Sequence, residues 1–179
     1  YYLLGYVGED TDLVLPQSYD ESIYNIYRYA FYECNLTSVS ISAVGDIGDC
    51  AFYDCASLES VTIGNSASYT IGTQAFYSCE KLSSLTIGSG VDTIKSEAFS
   101  GCHALEEITL PSTLNKLEKN VFRYCSSLAS VVFDYAGEYG VSSSETTDPS
   151  SRKALNIDNS VTNATYLKNT YTSYFWYKQ

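Results

Sequence analysis

The sequence predicts a solenoid built mostly of parallel β-strands, and three observations carry this prediction. First, the string Ala-Phe-x-x-Cys recurs at a nearly constant spacing. Second, each copy is followed by a short stretch in which apolar and polar residues alternate. Third, apolar residues make up 45% of the 179 residues and charged ones 17%, which is typical of a folded chain. A fixed period of about 20 to 50 residues indicates a repeat architecture.

The Ala-Phe-x-x-Cys string marks the period. Its copies begin at Ala30, Ala51, Ala75 and Ala98, with a variant at Val121. The Phe residues therefore step by 21, 24, 23 and 23, at positions Phe31, Phe52, Phe76, Phe99 and Phe122.

The stretch after each Cys predicts a strand, because apolar residues at every second position suit a half-buried strand. Another apolar position precedes each Ala-Phe. One unit of about 23 residues cannot bury its apolar side chains alone, so neighbouring units must stack. The strand copies are Leu36-Val39-Ile41, Leu58-Val61-Ile63, Leu82-Leu85-Ile87, Leu105-Ile108-Leu110 and Leu128-Val131-Phe133, and the preceding apolar positions are Ile26, Ile47, Ile71, Ile94 and Leu117.

These motifs resemble the BspA-like leucine-rich repeat, a bacterial surface variety, over about residues 12–133. The resemblance implies an α/β-type, mostly parallel solenoid: a right-handed leucine-rich repeat superhelix of about five repeats with N- and C-terminal caps. It also implies an extracellular or cell-surface location and a role in adhesion. Two features depart from the wider pattern, since the Cys lies on the other side of the coil and the first repeat is one residue short before Leu36.

We expect one domain over residues 1–179. Residues 1–25 form an N-terminal cap with a half repeat, residues 26–133 form five repeats, and residues 134–179 form a degenerate repeat with a C-terminal cap. Ile157 lies one repeat length after Phe133, so Ala154–Ile157 is predicted to add a seventh strand. The aromatic segment Tyr171–Tyr177 is predicted to pack over the open end. A chain that opens without Met is expected to belong to a longer polypeptide.

Five of the six cysteines hold the same repeat position and are therefore interpreted as buried structural thiols. A bond between neighbouring repeats stays open as an alternative. A zinc site is disfavoured, because its four ligands must converge and these cysteines form a line. The sixth, Cys50, occupies a position that is polar in other repeats, so we expect it to be the most accessible thiol.

The remaining composition excludes several classes of function. A net charge of −11 argues against nucleic acid and against anionic membranes, and the apolar runs are too short for membrane insertion. His103 is the one histidine, and no base stands ready to activate a nucleophile, so the sequence predicts no enzyme. The acidic stretch 9–12 lacks the features of a calcium loop. We expect no cofactor and no metal.

Two surfaces are candidate binding sites. The outward strand positions form a strip of small polar residues, Ser60, Thr62, Ser84, Thr86, Glu107 and Thr109. Tyr32, Tyr53 and Tyr77 follow successive core Phe residues and should form a ladder on the opposite side. The hypotheses are a protein-binding adhesion module (for host matrix or a neighbouring bacterial surface), a glycan- or cell-wall-binding module that uses the tyrosines, and a structural spacer.

Overall fold

The computed structural model describes residues 1–42, 45–145 and 148–178, and these form a β-solenoid with little helix. Short strands alternate with turns along the whole chain. The strands are β1 (Tyr2–Leu3), β2 (Asp12–Leu15), β3 (Asn25–Ile26), β4 (Ser38–Ile41), β5 (Ser60–Ile63), β6 (Tyr69–Ile71), β7 (Ser84–Ile87), β8 (Val91–Ile94), β9 (Glu107–Leu110), β10 (Lys116–Leu117), β11 (Ser130–Phe133), β12 (Glu138–Ser142), β13 (Lys153–Asn156) and β14 (Phe175–Lys178). The helix α1 spans Ser160–Thr165, a 3-10 turn spans Pro149–Ser151 and a π turn spans Tyr166–Thr170.

Six parallel strands, one per coil, form the main face of the solenoid. They fall into two ladders, β2-β4-β5-β7 and β9-β11. Equivalent repeat positions pair directly, as in the rung that joins Ser38, Ser60 and Ser84. This register buries the alternate apolar residues and turns the small polar ones outward. The predicted mostly parallel solenoid is thereby confirmed, with six coils where the sequence predicted about five repeats.

A second row of short parallel strands lies on another side of each coil, and the sequence did not predict it. The strands β6, β8 and β10 pair side by side, and isolated parallel bridges join Ile26, Ile47 and Ile71. These are the apolar positions that precede each Ala-Phe. Strands of two to four residues are too short for an alternating pattern to be visible.

The Ala-Phe segments are turns rather than helices. Each is flanked by two residues with left-handed backbone, such as Gln74 and Ser78 with φ of 55° and 56°. A helix cannot continue through such residues. The turns are joined across coils instead, for example by the Phe76 N–H, which donates to the Ala98 carbonyl at 2.8 Å. The equivalent left-handed residues are Tyr29, Cys50, Glu97 and Asn120 at the first position, and Glu33, Asp54, Gly101 and Tyr124 at the second.

A column of stacked rings forms the centre of the core. The five repeat Phe residues are at most 3% exposed. Their ring centroids are separated by 4.6 Å at the N-terminal end and by 5.7 Å at the C-terminal end, with interplanar angles of at most 9°. Each ring therefore covers its neighbours, as the repeat spacing predicted.

A row of thiols runs beside the Phe column. Each buried Sγ of this row, at Cys55, Cys79, Cys102 and Cys125, donates to the Phe carbonyl of the previous coil, as Cys79 does to Phe52 at 3.2 Å. Burial raises the pKa of the Cys125 thiol to about 12, so it stays protonated at neutral pH. The prediction that Cys50 is the most accessible thiol is wrong. Cys50 is 8% exposed and its Sγ donates to the Gln74 amide oxygen at 3.7 Å, whereas Cys34 is half-buried.

The C-terminal segment covers the last coil. Strand β14 pairs antiparallel with both β10 and β12, and Trp176 is 1% exposed. The predicted seventh strand does form as β13, but it pairs antiparallel with β12 and does not join the main face. Helix α1 packs against β11 in its place. At the other end, Leu3 and Tyr6 contact the core, while Leu4 and Val7 are exposed.

Candidate functional site

The strip of outward residues on the main face is the first candidate surface. Thr62, Ser84, Thr86, Glu107 and Thr109 are exposed, and Ser60 is half-buried. Direct pairing places Thr62 beside Thr86, so hydroxyl groups repeat across the sheet. The structure therefore brings together the six strip residues that the sequence singled out, on adjacent strands.

Asp12 lies at the N-terminal edge of the main face, in register with Ser38 and through it with the strip residue Ser60. Its carboxylate accepts hydrogen bonds from the Ser38 hydroxyl at 2.6 Å and from the Thr37 hydroxyl at 3.0 Å. These bonds hold the pKa of the Asp12 carboxyl below its usual range. The acidic stretch 9–12 is thus tied to neighbouring hydroxyl groups. No cluster of three metal-ligating side chains occurs among residues 1–42, 45–145 and 148–178.

The tyrosine ladder is the second candidate surface. The rings of Tyr32 and Tyr53 stack at 5.3 Å, and those of Tyr53 and Tyr77 stack at 4.9 Å, both with interplanar angles of 10°. The edge of Tyr29 contacts Tyr32 at 5.8 Å. Tyr32 is 44% exposed, and the other two ladder rings are half-buried.

Stacking determines which parts of the tyrosine rings are accessible to a ligand. The ring of Tyr53 has a tyrosine on each side, so its faces are covered by protein. A sugar that binds an aromatic side chain by stacking needs an open face. At Tyr53 the ladder therefore presents a ring edge and a hydroxyl group. Burial raises the pKa of the Tyr53 hydroxyl, so this group is protonated at neutral pH and can both donate and accept hydrogen bonds.

The main face is interrupted between β7 and β9, and we call this interruption the seam. The sequence pattern did not predict it. In most coils the residue after the strand donates its N–H to the last carbonyl of the previous strand. Gly64 donates to Ile41 and Gly88 to Ile63, each at 2.7 Å. Pro111 holds this position in its coil and has no N–H to donate. In the described chain β7 and β9 form no ladder.

The glycines explain why β5 and β7 pack more closely than β7 and β9 do. A Cβ on Gly88 would lie 2.6 Å from the Gly64 carbonyl carbon, so glycine permits close approach of these coils. The ring of Pro111 does not. Behind the seam the coils stay joined, since Ser78 N–H donates to the Ser100 carbonyl at 2.9 Å. The consequence is local: Leu85 is half-buried, although its counterpart Val61 is fully buried.

One recess opens at the seam, and a second adjoins it. The first, of about 490 Å³, lies over β7, β9 and β11 and includes Leu85 and Glu107. The second, of about 480 Å³, lies between the end of β11 and α1 and includes Asp158 and Asn163. Val132 and Asp134 line both recesses. We call the two together the trough. The proline in a glycine column was the sequence signal that could have revealed it.

The single histidine of the sequence lies on the surface. His103 is exposed in a turn, and its Nδ1 lies 3.5 Å from the Ser126 hydroxyl. No helix in the described part of the chain is long and apolar enough to cross a membrane.

The geometry now defines the class of protein: a repeat solenoid with one short parallel strand per coil, an aromatic column inside and an open sheet face. Residues 21–141 match six copies of the BspA type leucine rich repeat region. The chain belongs to this leucine-rich repeat family, whose members are generally not enzymes. None of the curated proteins compared with the chain matches it.

Solved structures of bacterial leucine-rich repeat proteins are similar to this chain. A leucine-rich repeat protein of T. pallidum is 30% identical, with a TM-score of 0.66 over 71% of this chain and 60% of that one. A leucine-rich cell surface protein of Faecalibacterium prausnitzii is 34% identical, with a TM-score of 0.62 over 74% of this chain and 38% of that one. A protein of Bacteroides ovatus is 30% identical, with a TM-score of 0.61 over 73% and 34%. This chain therefore spans about a third to three fifths of their lengths.

Proposed function

We propose that this chain is an extracellular or cell-surface module of a bacterium that binds a protein partner through its main face. The partner is a host matrix protein or a protein on a neighbouring bacterial surface. The observation that carries the proposal is the strip itself, because hydroxyl-bearing side chains stand exposed in register across neighbouring strands. Rigid solenoids present such extended surfaces to partners. The similar cell surface protein of F. prausnitzii supports the location.

The strip suits a protein partner better than a small ligand. Its hydroxyl groups both donate and accept hydrogen bonds, and they are spaced by the roughly 4.8 Å between strands. Apolar aromatic anchors are absent from the six strip residues. Such a surface gains affinity from many modest contacts over a large area rather than from one deep pocket.

A binding screen tests this proposal. The purified chain is passed over immobilised matrix proteins, mucin and a glycan array, and we expect saturable binding to a protein. Thr62→Lys adds a long charged side chain in the middle of the strip, so it should weaken that binding by about tenfold or more. Thr170→Lys is the matched control, because Thr170 is exposed on the C-terminal cap.

Equal binding by the two lysine variants would place the contact elsewhere. Silence across the whole panel would contradict adhesion to these ligands and would favour the spacer hypothesis.

The tyrosine ladder supports a second candidate, a glycan- or cell-wall-binding module. Its supporting observation is the row of partly exposed rings and hydroxyl groups on three successive coils. Because both faces of the Tyr53 ring are covered, a glycan at the centre of the ladder would have to bind hydroxyl groups and ring edges. Replacement of all three tyrosines by phenylalanine keeps the stack and removes the hydroxyls. We expect a glycan hit on the array to be lost in this variant with little change in thermal stability.

If the phenylalanine variant retains full glycan binding, the ladder hydroxyls are not the site. Tyr124→Phe is the control, since it removes an exposed tyrosine hydroxyl on a different coil.

A further inference from the structure

The first Ala-Phe turn, residues 30–34, lies at the less protected end of the thiol row. Leu4 and Val7, in the segment before it, are 71% and 105% exposed, so they cover little of this end. Cys34 is half-buried, whereas its counterpart Cys55 in the next coil is 0% exposed. Cys34 also lines an open recess of about 570 Å³. A small molecule can therefore reach this pair of cysteines only at Cys34.

The place of Cys34 at the start of the row decides what its sulfur contacts. Cys55 Sγ donates to the Phe31 carbonyl at 3.0 Å, and the later thiols of the row bond in the same way to the Phe one coil before them. Residues 1–29 contain no Ala-Phe turn that could supply such a carbonyl to Cys34. The Sγ of Cys34 lies instead 2.7 Å from the Sγ of Cys55.

The two main chains are held at a spacing that suits a disulfide bond. Beside the cysteines, Glu33 N–H donates to the Tyr53 carbonyl at 2.8 Å, and the rings of Phe31 and Phe52 stack at 4.6 Å. Hydrogen-bonded neighbours lie about 4.8 Å apart, and a disulfide needs Cα atoms separated by about 4.4–6.8 Å. The two sulfur atoms need to approach by less than about 1 Å to reach bonding distance.

We propose that Cys34 and Cys55 oxidise to a disulfide bond that fastens the first Ala-Phe turn to the second. The oxidant is a small-molecule disulfide. The Cys34 sulfur attacks one of its sulfur atoms and releases one small thiol, and the Cys55 sulfur then attacks Cys34 and releases the other. Two protein S–H bonds and the S–S bond of the reagent become one protein S–S bond and two small-molecule S–H bonds. The bond suits an extracellular protein and is independent of which partner the main face binds.

The reagent and the pH of the test follow from the surroundings of Cys34. The hydrogen bond with Cys55, followed by burial, raises the pKa of the Cys34 thiol, so its attack is slow at neutral pH. The thiolate fraction grows with pH, and the reaction is therefore run at about pH 9. Glu9, Asp10 and Glu33 also line the recess, so a neutral reagent, bis(2-hydroxyethyl) disulfide, avoids repulsion between negative charges.

The thiol count of the whole chain tests the bond. The reduced, folded chain is incubated with the reagent and unfolded, and its remaining thiols are alkylated and counted by intact mass spectrometry. Of the six thiols we expect four to remain, without any adduct of the reagent. Chymotryptic fragments that are joined between Cys34 and Cys55 locate the bond without any substitution. Six remaining thiols, or a bond between other cysteines, overturn the proposal.

Serine variants identify the two partners independently. Cys34→Ser should keep all of its thiols, because Cys55 then has no partner. Cys79→Ser is the matched control, since Cys79 follows Cys55 in the row and a serine hydroxyl can still donate to the Phe52 carbonyl. This control should lose two thiols, as the unchanged chain does. Loss of thiols in Cys34→Ser, or their full retention in Cys79→Ser, overturns the proposal.

Cys55→Ser tests the order of attack. Without the second sulfur, the mixed disulfide between Cys34 and the reagent cannot be resolved, so one adduct should accumulate on Cys34. An adduct on another cysteine, or none at all, overturns entry through Cys34.

Amide hydrogen exchange tests whether the bond fastens the turn. Exchange of residues 30–36 and of β3 should be about tenfold or more slower in the oxidised chain than in the reduced one, because the bond limits local opening. Exchange in β9 and β11 should not change, since contacts in a solenoid are local. A bond that forms without slowing exchange at residues 30–36 overturns its role as a fastener.

Discussion

Phe76→Ala should lower the free energy of unfolding by about 3–5 kcal/mol. Phe76 is 0% exposed and stands in the middle of the ring column, with Phe52 at 4.9 Å and Phe99 at 5.3 Å. Its removal leaves a cavity between two rings that backbone hydrogen bonds hold apart. Each coil contacts only its neighbours, so the coils on both sides lose their packing. For a chain of this size we expect the melting temperature to fall by roughly 10 °C or more.

Thermal and urea unfolding, followed by circular dichroism, measure this effect. Tyr124→Ala provides the control, because it removes a ring of similar size from a repeat position where Tyr124 is 57% exposed. The control should cost less than about 1 kcal/mol. If both variants lose a similar free energy of unfolding, the Phe column does not contribute more to stability than an exposed ring.

Trp176→Ala should destabilise the C-terminal coils by about 3–5 kcal/mol. Trp176 is 1% exposed, and its ring lies 6.2 Å from those of Phe133 and Tyr171. Its indole N–H donates to the Tyr171 carbonyl at 3.3 Å. Without this side chain β14 loses its main apolar contact, and the last coil is exposed to water. Solenoids need such caps.

Amide hydrogen exchange distinguishes this effect from general unfolding. In Trp176→Ala, protection should fall first in β11 and β12, while β4 and β5 keep theirs, because contacts in a solenoid are local. Trp176→Phe preserves an aromatic ring and should lose much less stability. A uniform loss of protection along the whole chain would show that β14 does not act as a cap.

The local pattern of the sequence was sufficient for the repeat unit. The spacing from Phe31 to Phe122 predicted the ring column, because residues one coil apart must stack when each coil has nearly the same length. Alternation within Ser60–Ile63 and its equivalents predicted the strands of the main face and which residues face out. These are properties of single coils and of their identical neighbours, so no distant contact is needed to infer them.

The backbone conformation of the turns was harder to predict from the sequence. Residues as different as Tyr29, Cys50, Gln74 and Asn120 all adopt left-handed φ at one repeat position. Only Asn is a residue that readily signals such a conformation. The hydrogen bonds between coils hold the others there. The same backbone leaves Tyr29 55% exposed and Cys50 only 8% exposed, so the repeat position alone did not determine the accessibility of Cys50.

Features that depend on breaks in the repeat were decided by the tertiary structure. Ala154–Ile157 carries the apolar pattern of a seventh strand, yet the strand that forms there, β13, pairs antiparallel with β12 rather than with the main face. The trough needs Pro111, Asp134 and Asn163, which are distant in sequence and meet only when β11 and α1 pack together. The sequence by itself determined the coil and its family. The folded chain decided where the coil stops and where its face opens, because both depend on which hydrogen bonds a neighbouring coil can no longer supply.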